Sequence, residues 1–171
     1  MNINPFEIFE CMFRDIGLDS GDNVFGDIDL RNRENGSIVF RNNVTIDNDC
    51  RFVASRNSLI EIGENSHVGC QAVWNSGEDI LVGKNCVFAA RSSINSNDHG
   101  KKKGINIRSQ DYSYAPVSVS DDCWIGINVT ILKGVKLGKG SIVGAHSVVT
   151  KDTDEYSINA GIPAKSLGYR E

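Results

Sequence analysis

Apolar residues recur at every sixth position along most of this chain. One series runs Val119, Ile125, Ile131, Leu137, Val143, Val149, and three shorter ones run Phe40, Ile46, Phe52, then Ile62, Val68, Trp74, then Val82, Phe88, Ile94. All fifteen positions generated by that step are apolar. Neither a helix of period 3.6 nor an isolated strand of period 2 writes such a pattern. Other places in the hexad agree. Gly follows the apolar residue at Gly63, Gly69, Gly83, Gly126, Gly138 and Gly144. Three places after it come residues such as Asn43, Asp49, Asn65, Asn128 and Gly140. Asn, Asp and Gly tolerate left-handed backbone, so this place is a corner. Four places after it the residue is small or modest, as at Val44, Cys50, Ser66, Cys86 and Cys123.

The period breaks three times, adding four residues after Phe52, two after Trp74 and nineteen after Ile94. Three hexads, or eighteen residues, separate the breaks, so eighteen residues make one coil with three flat faces. All three insertions then leave one corner of a triangular prism. Arg56, Glu78 and Asp98 occupy the small position there because the chain has already left the coil. These features predict an all-β parallel β-helix of about five coils over residues 40–152, with an insertion loop at 98–118. At about 4.8 Å per coil the prism is on the order of 25 Å long. Residues 1–39 read as an N-terminal cap: a short helix over 5–16 carrying Phe6, Phe9, Phe13 and Ile16 on one face, then turns and irregular strand. Residues 153–171 read as a tail folded back over the last coil, since a solenoid end exposes strand edges.

Composition narrows the function. With 18 Lys plus Arg against 22 Asp plus Glu, the net charge of −4 argues against general nucleic-acid binding. No apolar run approaches the roughly 20 residues of a membrane-spanning helix, so membrane insertion is not expected. Residues 1–15 lack a signal-peptide pattern, and the five Cys show neither a CxxC pair nor metal-ligand spacing. A cytoplasmic protein with reduced thiols is expected.

The stretch WIGINVTILKGVKLGKGSIVGAHSVVTKD, followed by AGIPAK, resembles the hexapeptide-repeat acyltransferases. Within that family it is similar to the branch of sugar and polysaccharide O-acetyltransferases. The resemblance covers about residues 40–168, and its specific part is 119–165. It implies a left-handed coil, acetyl-CoA as acyl donor, no metal, and a homotrimer with active sites between subunits. It further implies acetyl transfer to a hydroxyl of a small sugar or a polysaccharide. N-acetylation of an amino sugar, free or nucleotide-linked, and a non-catalytic β-helix scaffold are the alternatives.

His99 lies at the root of the long insertion, where the family places its catalytic histidine. A lone His on a polar loop is otherwise surface decoration. A neutral imidazole, with an ordinary pKa near 6.5, can take a proton from an attacking hydroxyl. Asp98, Asn95 or a backbone carbonyl is expected to orient the ring. Trp124 falls on an outward place of its hexad, where an indole has no packing reason to be. The resemblance assigns it to the coenzyme's pantetheine arm; a contact with a neighbouring subunit is the plainer reading. Gly126, Ile127, Ala145, Thr150, Lys151 and Lys165 map by resemblance to the rest of the coenzyme groove. For the acceptor, Gln71 stands where better-known members carry an asparagine one coil before the histidine. The run Lys101, Lys102 and Lys103 is either a solvated loop or a basic lip for an acidic sugar. Cys50, Cys86 and Cys123 take the small inward place, which argues for direct transfer rather than an acyl-enzyme. Three His also raise a zinc reading, but His67, His99 and His146 lie 32 and 47 residues apart, far from ligand spacing.

Overall fold

Three flat strips of short parallel strands stack along one axis. They form a triangular solenoid of about six coils in this computed structural model. The structure describes residues 16–18, 23–24 and 28–171. The first face takes strands Ile16–Leu18, Ser37–Phe40, Leu59–Ile62, Ile80–Val82, Val117–Val119 and Lys136–Leu137. The second runs through Asn23–Val24, Thr45–Ile46, His67–Val68, Val87–Phe88, Trp124–Ile125 and Ile142–Val143. The third runs through Asp29–Asn32, Arg51–Ala54, Val73–Ser76, Ser93–Asn95, Thr130–Ile131 and Val148–Val149.

The fifteen apolar hexad positions all point inward and are buried. They build one continuous core, with an aromatic column inside it. Phe52 meets Phe40 at 5.8 Å and Trp74 at 5.1 Å, and Trp74 lies 4.9 Å from Phe88. Offset and edge-on contacts of this kind are the favourable ones for aromatic rings. The indole Nε1 of Trp74 donates to Ser92 Oγ at 3.2 Å, so its one polar atom is satisfied. The small position is also buried: Ser66, Ser92, Ser141 and Ser147 join the thiols there.

The glycine after each apolar residue has a stacking reason. A Cβ on Gly63 would sit 2.5 Å from the Gly83 backbone, and one on Gly126 would sit 2.7 Å from the Ala145 nitrogen. At those places one coil's backbone rests on the next, and only hydrogen fits. Corner residues adopt the left-handed region as the sequence implies, for example Asn43 at φ 59°, Asp49 at 60° and Asn128 at 55°. Gln71, Arg91 and His146 hold the same backbone without the usual residue type, at φ 61°, 61° and 59°.

Two features differ from the expected ends. The helix read over 5–16 lies outside the described residues, except that Ile16 opens a strand. The stretch read as turns and irregular strand gives a strand to each of the three faces, paired in parallel with the next coil: Leu18 with Phe40, Val24 with Ile46, Leu30 with Phe52. The C-terminal segment does fold back. Ser157–Gly161 adds to the second face beside Ile142–Val143 and returns as Ala164–Tyr169 through a turn with a cis Ile162–Pro163 bond.

Candidate active site

All three insertions leave the end of the third face, as the breaks in period imply. The long one is pinned at its root, where Asn97–Asp98 pairs antiparallel with Ser113–Tyr114. The chain re-enters the first face at Val117. His99 follows that root directly and is exposed. Its ring packs on Tyr112 at 4.3 Å between centroids, and Tyr112 in turn stacks on Tyr114 at 6.1 Å. Neither expected orienting residue bonds the imidazole. The Asp98 carboxylate lies between the ammonium groups of Lys101 and Lys133, each 3.7 Å away. Asn95 is held by other partners: its Oδ1 accepts from Asn75 Nδ2 at 3.1 Å, and its Nδ2 donates to Ser93 Oγ at 3.2 Å. Among the described residues, the tyrosine ring is what positions His99.

Beside that ring opens a cavity of about 410 Å³. Asn75 and Asn95 form its wall on the third face, Asn97 lines it from the root of the insertion, and Tyr112 and Tyr114 cover it from the loop. Arg33, Glu34 and Arg56 close the far side, from turns at the same corner of the prism. The Arg56 guanidinium lies over the Tyr114 ring at 4.2 Å from its centre. Gly77 makes that packing possible, since a Cβ there would sit 2.7 Å from the Tyr114 ring. The sequence reading missed Arg33, Glu34, Asn75, Tyr112 and Tyr114, and took Arg56 only as a tolerated large residue. An outward Asn directly after inward Trp74, repeated at Asn95 after Ile94, was the available signal.

The coenzyme candidates lie apart from His99 within one chain. Trp124 projects from the second face between Val87 and Ile142 and is 54% exposed. Ile127, 40% exposed, and Ala145 lie at the corner joining the second and third faces. There His146 N donates to Ile127 O at 2.8 Å. Lys165 pairs with Ala160 in the terminal hairpin, and Ala160 Cβ lies 3.1 Å from where a Gly144 Cβ would be. Trp124 on the second face, Ile127 and Ala145 at the corner beyond it and Lys165 in the hairpin added to that face thus lie on the same side of the prism. Gly126 belongs to the same side but is buried, its small size taken up by the next coil's backbone. Thr150 and Lys151 follow Val149, across the width of the third face from that corner. Gln71 sits at the corner joining the second and third faces rather than in the cavity, accepting from Arg91 Nε at 2.8 Å. Lys101, Lys102 and Lys103 are exposed along the loop.

The inward thiols are core atoms. Burial pushes the Cys50 thiol from 9.0 up to about 11. The hydrogen bond Cys86 shares with Cys123, with burial added, raises Cys86 also. The same bond lowers Cys123, but that sulfur is 1% exposed and out of a thioester's reach. A nucleophilic thiol needs both a thiolate and access, and none of the three has both. Among the described residues no three His, Cys, Asp or Glu side chains gather as a metal site, and no helix is long and apolar enough to cross a membrane.

Residues 116–151 match the family model described as bacterial transferase hexapeptide (six repeats). WbbJ of Escherichia coli K12, named for O-acetyl transfer in lipopolysaccharide biosynthesis, is 30% identical over 143 residues, covering 79% of this chain and 73% of WbbJ. Rv3034c of Mycobacterium tuberculosis, named a probable acetyltransferase, is 30% identical over 124 residues. That match covers 72% of this chain, which spans only 41% of Rv3034c. A point mutant of AntD, an N-acyltransferase from Bacillus cereus crystallised with dTDP and coenzyme A, has the same fold at a TM-score of 0.74 and 20% identity. That superposition covers 99% of this chain and 90% of AntD.

Proposed function

The chain belongs to the hexapeptide-repeat acetyltransferases, and we propose that it moves an acetyl group from acetyl-CoA to a hydroxyl of a sugar or polysaccharide. The observation that carries this reading is His99, exposed at the root of the long loop with its ring held by Tyr112 beside a polar cavity. Its imidazole takes the proton of the acceptor hydroxyl as that oxygen attacks the thioester carbonyl. The tetrahedral oxyanion is met by a backbone N–H. Collapse breaks the C–S bond, and the imidazolium returns the proton to the departing thiolate of coenzyme A. Buried, inaccessible thiols support direct transfer without an acyl-enzyme.

The donor lies along the edge of Trp124, Ile127, Ala145 and Lys165. That edge is apolar enough for a pantetheine arm and has a lysine as a point charge for phosphate. Because His99 and this edge stand at different corners of one prism, a complete site forms between two copies, within a homotrimer. The relation to WbbJ supports a surface-polysaccharide acceptor. The test is acetyl-CoA consumption over a panel of sugars, oligosaccharides and amino sugars, with the acetylated atom located by NMR. An O-acetyl product is expected. Transfer only to amines would refute the hydroxyl acceptor, and no transfer to any acceptor would refute the activity.

A further inference from the structure

We propose that the cavity under Tyr112 and Tyr114 is the acceptor pocket, and that it selects a sugar unit bearing one carboxylate, held by Arg33 and Arg56. The assignment of the pocket to the acceptor rests on the acetyltransferase reading above; its preference for an anion rests on the pocket alone. Position comes first. Tyr112 packs on the His99 ring and also lines the cavity, which sets the cavity next to the base. At about 410 Å³ the cavity is in the usual range for a small-molecule site. Asn75 and Asn95 stand in register on adjacent strands, joined by the bond from Asn75 Nδ2 to Asn95 Oδ1, and give the cavity a polar wall, while the tyrosine faces suit the apolar side of a pyranose.

Charge comes second. Among the described residues Arg33, Arg56, Arg91 and Arg108 make no ion pair, whereas Arg31, Arg41, Arg51 and Arg170 each have a carboxylate partner; of the four without one, Arg33 and Arg56 line the cavity. A guanidinium is built to hold a carboxylate with two parallel hydrogen bonds. Glu34 lines the same cavity. With two cations and one anion around it, the cavity matches a single negative charge better than a diphosphate.

Backbone strain is the third observation and is independent of both. Arg33 to Gly36 and Ser55 to Ser58 are tight turns on successive coils, closed by Gly36 N to Arg33 O at 3.0 Å and Ser58 N to Ser55 O at 3.0 Å. Each has two consecutive residues at positive φ: Glu34 at 50° and Asn35 at 61°, Arg56 at 59° and Asn57 at 58°. Asn-Gly suits such a turn. Glu and Arg at its first central place bring Cβ against the following carbonyl oxygen and are strained there. Single residues of this kind recur at corners elsewhere, as at Gln71, Arg91 and His146, whereas the consecutive pair occurs in these two turns. Here both strained side chains face the same cavity. The lysine run of the loop does not line it.

The test is calorimetric titration of the whole protein with glucuronate, glucose and glucose 6-phosphate. Glucuronate should bind about tenfold more tightly than glucose, the worth of a charge-assisted contact. Arg33→Gln and Arg56→Gln should each weaken glucuronate binding more than glucose binding and bring the ratio of the two affinities toward one. Arg33→Gln does not disturb the Arg56–Tyr114 contact, so it reads the charge without the packing. Equal binding of glucuronate and glucose, or an unchanged preference in both variants, would overturn the proposal. Preference for glucose 6-phosphate alone would overturn the carboxylate assignment. Glucuronate binding in a protein that transfers acetyl to nothing would keep the anion pocket and remove the acetyl-transfer reading with the acceptor role; acetyl transfer to neutral sugars only would do the reverse.

Discussion

Replacing Trp74 by Ala should remove a large part of the molecule's stability, and replacing Trp124 should remove almost none. Trp74 is the largest fully buried side chain, in the middle of the aromatic column between Phe52 and Phe88. Large-to-Ala changes at such sites cost about 3–5 kcal/mol. Each of the two ring contacts is worth roughly 0.5–1.5 kcal/mol beyond burial, and Ser92 loses a donor worth about 1 kcal/mol. These contributions overlap, so the upper end of the range, about 5 kcal/mol, is expected. A domain of this size holds roughly 5–15 kcal/mol in all. Trp124, more than half exposed on the second face, should cost within about 0.5 kcal/mol. Urea denaturation followed by far-UV circular dichroism measures both. In Trp124→Phe the remaining indole fluorescence should be blue-shifted, and in Trp74→Phe red-shifted. A loss under about 1 kcal/mol for Trp74→Ala, or equal losses for the two, would refute the inward and outward assignment.

The other expectations are narrower. Trp124→Ala should raise the KM for acetyl-CoA and leave kcat little changed, because its part is packing; steady-state kinetics at saturating acceptor reads the split. Light scattering should give about three times the 18.7 kDa chain mass; a monomer at micromolar concentration would leave His99 without the donor edge. The raised Cys50 thiol makes an alkaline prediction: burial disfavours the thiolate, so its contribution is intact below the ordinary value of 9.0 and is lost as pH rises toward about 11. The melting temperature should fall over that window, and fall less in Cys50→Ala.

Much of this fold was legible because a solenoid repeats its packing decision. Each coil asks for the same inward apolar residue, the same small neighbour and the same corner, so errors at single positions average out. The first coil was legible too: Leu18, Val24 and Leu30 step by six, and ten residues separate Leu30 from Phe40, as ten separate Phe52 from Ile62. It escaped because Asp and Gly surround those residues and because Phe6, Phe9 and Phe13 invite a helical reading. The candidate site was legible in part. His99 and Trp124 stand out by breaking the hexad's logic. The cavity does not, because its walls come from two turns, the strands of the third face and the loop, brought together only by stacking. Arg56 shows the limit: its position was explained as harmless, whereas the structure places it on Tyr114.

The central claim is that His99 is the general base of an acetyl transfer. Its most direct test is the steady-state rate of His99→Ala with acetyl-CoA and the best acceptor from the panel, at unchanged circular dichroism and assembly mass. The account predicts a kcat lower by roughly 10²–10⁴, with the KM for acetyl-CoA little altered. Wild-type kcat in His99→Ala would contradict the mechanism, and a loss confined to KM would make His99 a binding residue instead.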